Sequence, residues 1–295
     1  MKNMTDYLDY FFYNTEFPKE DADFLIDTYK TIANSDYSEE WASILCEYDK
    51  NINMDYKSAV KTAQEIGEKL GIHKYTIDLL FYSCLSRRLE QRYKEKGISE
   101  EIFFDTMRDL RYKLIECKIV KKICGMFVGF WFPEFFTMER FTLGRLTFET
   151  IKFNLNYEKD GKILTPESIV LNTHIPRTET PLTPEECDKS FAMAAEFFKD
   201  KIDGDIVFMC ASWILYPTML QYLSDNSNTK KFAKRFDIAK VHDNENGHPE
   251  LWRLFDVEYN GDIDSLPADT SFRRAVIKML KDGHKTGSAI GVFFY

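Results

Sequence analysis

The chain has 295 residues, 44% of them hydrophobic, which gives enough apolar mass for a sizeable core and enough length for two domains. Its net charge is −9 and its basic residues stand singly or in pairs among acids, so it carries no electrostatic footprint for nucleic acid. Six scattered cysteines (Cys46, Cys84, Cys117, Cys124, Cys187, Cys210) form no C-x-x-C pair and have no histidine at ligand spacing. They read as reduced core thiols, with no zinc site and no disulfide framework.

At the start of the chain Asp6 and Asp9 interrupt the apolar residues, and the segment does not read as a signal peptide. Glu20 to Ala33 and Tyr37 to Tyr48 show amphipathic helical patterns. Asp55 to Leu70 stops at Gly71 and Tyr75 to Lys96 stops at Gly97, each glycine suited to the residue after a helix. Ser99, followed by Glu100 and Glu101, caps a helix running toward Cys117 with Ile102, Phe103, Met107, Leu110 and Leu114 on one stripe. An all-helical domain is therefore expected over residues 1–122. The aromatic stretch Met126 to Phe136 contains Pro133 and Glu134 and is too short to span a bilayer, which suggests a soluble, cytoplasmic protein with no membrane partner.

Over residues 123–295 the period becomes that of strands, from about Phe141 onward. Arg145 to Glu149 keeps its apolar residues on even positions, whereas Ile151, Phe153 and Leu155 continue on odd ones. This slip near Thr150 predicts a β-bulge or a twisted edge. Glu158-Lys159-Asp160-Gly161 is a turn, and Ser168 to Ile175 is a strand rich in β-branched residues. Thr183-Pro184-Glu185-Glu186 then supplies cap, first-turn proline and first-turn acids for a helix to Phe198. Beyond the Asp203-Gly204 boundary, the apolar run Asp205 to Trp213 reads as a strand buried on both faces. Helices over Tyr216 to Leu223 and Asn228 to Phe236, a strand over Leu251 to Glu258, a helix over Ser271 to Lys281 and a strand over Ile290 to Tyr295 complete the pattern. The fold class is α+β, a helical domain followed by a mixed sheet flanked by helices.

Four places could carry chemistry. The Ile175 to Leu182 loop joins a strand to a helix N-terminus, where backbone N–H groups around Thr178 and Thr180, helped by Arg177, could hold a pyrophosphate. The alternative is an ordinary strand-to-helix connection, and Glu179 opposes an anion. His174 could serve as a general base or as a hydrogen-bonded core histidine sharing a face with Val170 and Asn172. Glu149 could accept a proton or bind a substrate amine, or simply pair with Arg145 four residues away. Cys210 and Ser212 sit at the end of a buried strand, but Met209-Cys210-Ala211-Ser212-Trp213 has no glycine for a nucleophile elbow. Gly-x-Gly-x-x-Gly, Walker, His-Glu-x-x-His and calcium-loop signatures are absent from the sequence, which speaks against dinucleotide redox chemistry, NTP hydrolysis and zinc proteolysis.

Taken in order, Leu143-Gly144-Arg145-Leu146-Thr147-Phe148-Glu149, His174-Ile175-Pro176, Pro181-Leu182, Ser190, Ala194 to Phe198, Cys210-Ala211-Ser212-Trp213, Ser227-Asn228 with Phe232, Leu251-Trp252-Arg253-Leu254-Phe255, Leu266-Pro267 and Thr270-Ser271 resemble the C-terminal half of a bacterial family of acyltransferase-domain proteins. That family joins a helical N-terminal domain to a GNAT-like C-terminal domain. The resemblance implies an acyl-CoA co-substrate, acetyl-CoA or another, lying between splayed strands. It also implies a pyrophosphate held by Ile175, Arg177, Thr178, Glu179, Thr180 and Leu182, and direct attack by a small-molecule or peptidic amine, with Glu149 or His174 as base and a backbone N–H near His174 polarising the thioester. The loop has no glycine, and Phe232 and Phe236 stand where many GNAT enzymes place a tyrosine acid, leaving Tyr216 or Tyr222 as substitutes. Those departures define the alternative, a non-catalytic ligand-sensing or interaction protein on the same fold.

Overall fold

The computed structural model describes residues 3–202, 204–245 and 247–295; Asp203 of the expected Asp203-Gly204 boundary lies outside the described residues. The chain divides into two compact units, Met1–Phe141 and Thr142–Tyr295.

The first unit holds α1 (Met4–Asn14), α2 (Lys19–Ala33), α3 (Ser38–Lys50), α4 (Tyr56–Lys69), α5 (Lys74–Glu95), α6 (Glu100–Lys121) and the short α7 (Pro133–Phe136). Side chains cap four of these starts: Asn3 accepts from the Asp6 amide, Asp55 from Ser58, His73 from Tyr75 and Ser99 from Ile102. The sequence reading gives no helix for α1, although Tyr7, Leu8, Phe11 and Phe12 bury one face of it. Asp6 and Asp9 interrupt the run in sequence but project from the other side of the cylinder. α5 is buried on all sides, through Ile77, Leu79, Leu80, Phe81, Tyr82 and Leu85. The aromatic stretch after α6 packs onto it, with the Tyr82 ring centred 5.4 Å from Phe132 and 5.1 Å from Phe136. Residues 123–141 group with the helical unit by their contacts.

β1 (Arg140–Leu143) leads into the second unit, which continues with β2 (Leu146–Lys152), β3 (Tyr157–Lys159), β4 (Lys162–Leu164), β5 (Ile169–His174), α8 (Pro184–Phe198), β6 (Val207–Ser212), α9 (Pro217–Tyr222), α10 (Asn228–Ala233), β7 (Asp237–Asp243), α11 (Leu251–Phe255), α12 (Ser271–Lys281) and β8 (Gly287–Phe294). The six-stranded sheet runs β1-β2-β5-β6-β8-β7, and β3 with β4 forms a separate hairpin. β5 and β6 are parallel, while β2–β5, β6–β8 and β7–β8 are antiparallel, so the sheet is mixed as expected. On one face Phe148, Phe208 and Phe293 pack against Phe191 of α8. On the other, Phe153, Val170, Met209 and Val292 pack with Leu164 of the hairpin.

Three expectations change. The slip at Thr150 is not a bulge, since β2 and β5 pair without interruption from Thr147↔His174 to Lys152↔Ile169. Leu146 to Glu149 are buried on both faces, and alternation loses its meaning there. The register shift lies instead at Ile238/Lys240 in β7, an edge strand absent from the sequence reading because its residues are polar and half to fully exposed. Leu251 to Glu258 is not a strand: Leu251, Leu254 and Phe255 fall on one helical face, and the helix ends at Asp256 with φ 58°.

Asp78 stands out on α5. It is 7% exposed, and its Oδ1 accepts from Gln64 Nε2 at 2.6 Å. Burial pushes its carboxyl up from 3.8 to about 6, against the opposing pull of Gln64 and Lys74. A carboxyl whose folded pKa exceeds its unfolded one favours the folded state only while protonated. That contribution is complete below about pH 4 and is lost as pH rises through about 6. At about 1.4 kcal/mol per unit, the loss is on the order of 3 kcal/mol. Asp78→Asn is therefore expected to raise unfolding stability by about 1–3 kcal/mol at pH 7.5 and to gain little at pH 4. Denaturant titrations followed by circular dichroism at the two pH values check this; equal effects at both would contradict it.

Candidate functional site

β5 and β6 share only two registered pairs, Leu171↔Phe208 and Asn172↔Met209, yet β5 continues to His174 and β6 to Ser212. Beyond Asn172 no registered pair joins the two strands, which leaves a gap in the ladder. Backbone N–H and C=O groups lining such a gap are left for a ligand in place of a ladder partner.

The antiparallel register places the polar residues of β2 and β5 beside this opening. Glu149 lies opposite Asn172, and His174 lies opposite Thr147, one step along the same face. Glu149 Oε1 is 2.7 Å from His174 Nε2 and accepts from Asn172 Nδ2 at 2.9 Å. A carboxylate oxygen at that distance from an imidazole nitrogen requires a proton between them, so Nε2 carries the hydrogen. The 3.0 Å approach of Asn172 Nδ2 to Nε2 is then a contact between two donors, not a bond. His174 keeps 21% side-chain exposure against 10% for Glu149, which leaves the imidazole as the more accessible member. Sequence alternation puts Asn172 on the His174 face, but its hold on Glu149 emerges only from the strand register.

The loop after β5 is fixed by Arg145. Its Nε donates to the Thr180 carbonyl at 2.7 Å and its Nη1 to the Pro176 carbonyl at 2.9 Å. The Arg145 amide in turn donates to Ser190 Oγ of α8 at 2.7 Å. Gly144 makes this docking possible: its φ is +70°, and a Cβ there would lie 2.8 Å from Ser190 Oγ. Within the loop Thr178 Oγ1 donates to the Thr180 carbonyl, Ile175 and Leu182 are half-buried, and Glu179 is exposed. The Arg177 guanidinium grips Asp256, at 2.5 and 3.4 Å, and Arg273 reaches the same carboxylate at 2.7 Å. Asp256 and Arg273 escaped the sequence reading because Asp256 lay inside a segment taken for a strand.

The N-terminus of α8 offers little to an anion. Pro184 has no N–H, the Glu186 amide donates to Thr183 Oγ1, and the Cys187 amide donates to the Thr183 carbonyl. Glu185 folds back to accept from its own amide and from the Thr183 hydroxyl, which holds its carboxyl below the usual range. The first turn is satisfied by its own residues.

Comparison with known proteins gives the family of the chain. The model of an N-acyltransferase N-terminal domain matches residues 6–138, and that of a GNAT-like C-terminal domain matches residues 141–293. The chain belongs to this two-domain N-acyltransferase family. Its fold is shared with an acyltransferase solved with decanoyl-CoA and teicoplanin, at 22% identity and a TM-score of 0.73, covering 96% of this chain and 86% of that one. A mutant acyltransferase solved with octanoyl-CoA matches at 21% identity with the same TM-score and coverage. No curated protein matches the chain by sequence.

In this family member the substitute acids are already engaged. Tyr216 donates to Asp243 at 2.6 Å and Tyr222 to Asp282 at 2.9 Å, and burial foremost raises both phenols. Cys210 is fully buried and its thiol is pushed up to about 12, which removes the thiolate a nucleophile needs. Ser212 Oγ accepts from the Ile214 amide.

Two charge-assisted contacts from Arg145 hold the loop carbonyls, at roughly 1.5–3 kcal/mol each. Arg145→Ala is expected to raise amide hydrogen exchange across residues 175–182 at least tenfold, with little change in β8. Hydrogen–deuterium exchange mass spectrometry reads this directly, and unchanged protection in the loop would remove Arg145 from that role.

Proposed function

We propose that the protein is an N-acyltransferase that moves an acyl group from acyl-CoA to the amine of a small-molecule or peptidic acceptor, by direct attack. One observation carries the reading: the Glu149–His174 pair stands where β5 leaves its pairing with β6, so a proton acceptor faces the opening in which the acyl thioester would lie. Relatives of this fold hold decanoyl-CoA and octanoyl-CoA, and one also holds teicoplanin, which favours a medium-length acyl chain and a peptidic acceptor over acetyl transfer to a simple amine.

In the proposed chemistry His174 takes the proton from the attacking ammonium at Nδ1, because Nε2 already points its hydrogen at Glu149. Glu149 fixes that tautomer and steadies the imidazolium that forms. The amine nitrogen bonds to the thioester carbon, the C–S bond breaks, and the second proton shed by the nitrogen passes to the departing sulfur, so CoA leaves as thiol. A backbone N–H on the parted edge of β5 polarises the carbonyl oxygen. The glycine-free backbone of Ile175, Arg177, Thr178, Glu179, Thr180 and Leu182 would meet the CoA pyrophosphate, while Arg177 is held by Asp256 and Arg273 by Asp256 and Asp269. A bacterial, cytoplasmic setting belongs to the same reading. None of the helices is long and apolar enough to cross a membrane among the described residues.

The second reading, a ligand sensor on this fold, is favoured by the satisfied first turn of α8. Enzyme and sensor separate in one assay. Thiol release from octanoyl-CoA with a panel of peptidic amines should show turnover, falling on the order of 10²–10⁴-fold in His174→Ala. Glu149→Gln should lose less, and neither change should shift the KM for octanoyl-CoA by more than about threefold. Saturable octanoyl-CoA binding without thiol release from any acceptor would favour the sensor, and full activity in both variants would remove the assignment of the base.

A further inference from the structure

The helical unit contains a cavity of about 820 Å³ that the proposed chemistry does not use. Its volume lies within the range of small-molecule sites, on the order of 300–1,000 Å³. Tyr56, Tyr82 and Asp78 are its buried lining, Val60 and Phe127 are half-buried, and Phe130 stands 77% exposed at its edge. Asp55, Lys57 and Lys61 are exposed lining residues, where solvent screens them, and Lys61 lies 3.6 Å from Glu65. Asp78 is the buried charge.

The geometry of Asp78 is directional. Gln64 holds Oδ1, and Gly129 flanks Oδ2, where a Cβ would lie 3.3 Å away. With no side chain on Gly129, the approach to Oδ2 stays open. A buried carboxylate with one oxygen bonded and the other facing a cavity is an expensive feature unless a donor or a cation completes it. Among the described residues no group of His, Cys, Asp and Glu is arranged to hold a metal ion, so a lone carboxylate among aromatic rings calls for an organic cation.

We propose that this cavity binds a primary ammonium ion carrying an aromatic or aliphatic body, the ammonium donating to Asp78 Oδ2 and the body packing against Tyr82, Phe127 and Phe130. Charge complementarity selects the ammonium head, and the apolar lining selects the body. The site lies wholly within the helical unit.

Isothermal titration calorimetry of the full chain with 2-phenylethylammonium at pH 7.5, in the absence of any acyl-CoA, tests this. One saturable site is expected, with affinity at least tenfold weaker for the neutral 2-phenylethanol and at least tenfold weaker in Asp78→Asn. Val60→Trp, which fills the cavity from its wall and keeps the carboxylate, should likewise weaken binding tenfold or more. Absence of saturable heat, equal binding of the alcohol, or unchanged affinity in either folded variant would overturn the proposal. Because no acyl-CoA is present, such a failure leaves the transferase reading untouched.

Discussion

Two parallel strands that share only two registered pairs leave a gap in their ladder, and the second unit is arranged around it. β5 is held on one side by six continuous pairs with β2, and β6 by six pairs with β8, so each strand is firmly placed while the gap between them stays open. The Phe191 ring meets Phe148, Phe208 and Phe293 edge-on, Phe208 stacks on Phe293, and this cluster fixes the α8 side of the sheet. The opposite side changes along its length from Val170 and Met209 to Asn172 and His174, that is, from core to chemistry. Arg145 then ties the chain leaving β5 back to the turn before β2, and the loop inherits the rigidity of the sheet.

The anchoring of that loop explains why several motif residues occur together. Gly144 has no Cβ because Ser190 Oγ occupies its place, Ser190 is needed to receive the Arg145 amide, and Arg145 supplies both donors to the loop. Each residue makes sense only with the other two. The same economy appears at α8, where Thr183, Pro184 and Glu185 satisfy the helix start themselves. Anion binding here would therefore fall to the loop, not to a bare helix terminus.

Much of this was legible in the sequence, for identifiable reasons. α8 was readable to the residue because cap, proline and first-turn acids mark its start, and the resemblance carried the two-domain family and its acyl-CoA chemistry. Glu149 and His174 could be named singly, but their 2.7 Å contact depends on cross-strand register, which no local pattern encodes. β7 escaped because a polar edge strand looks like loop, and α11 because a run as short as Leu251–Phe255 fits either period. The Asp78 cavity was invisible for a simpler reason: a single acid in an aromatic helical segment gives no sign of whether it faces water or its neighbours' rings.

The central claim is that acyl-CoA lies at the parting of β5 and β6. Hydrogen–deuterium exchange with and without saturating decanoyl-CoA tests it most directly, since a ligand bridging the parted edges must protect amides there. The account predicts added protection over residues 172–182 and at the end of β6, with little change in β7. Protection confined to other elements, or none at a concentration that saturates binding, would contradict it.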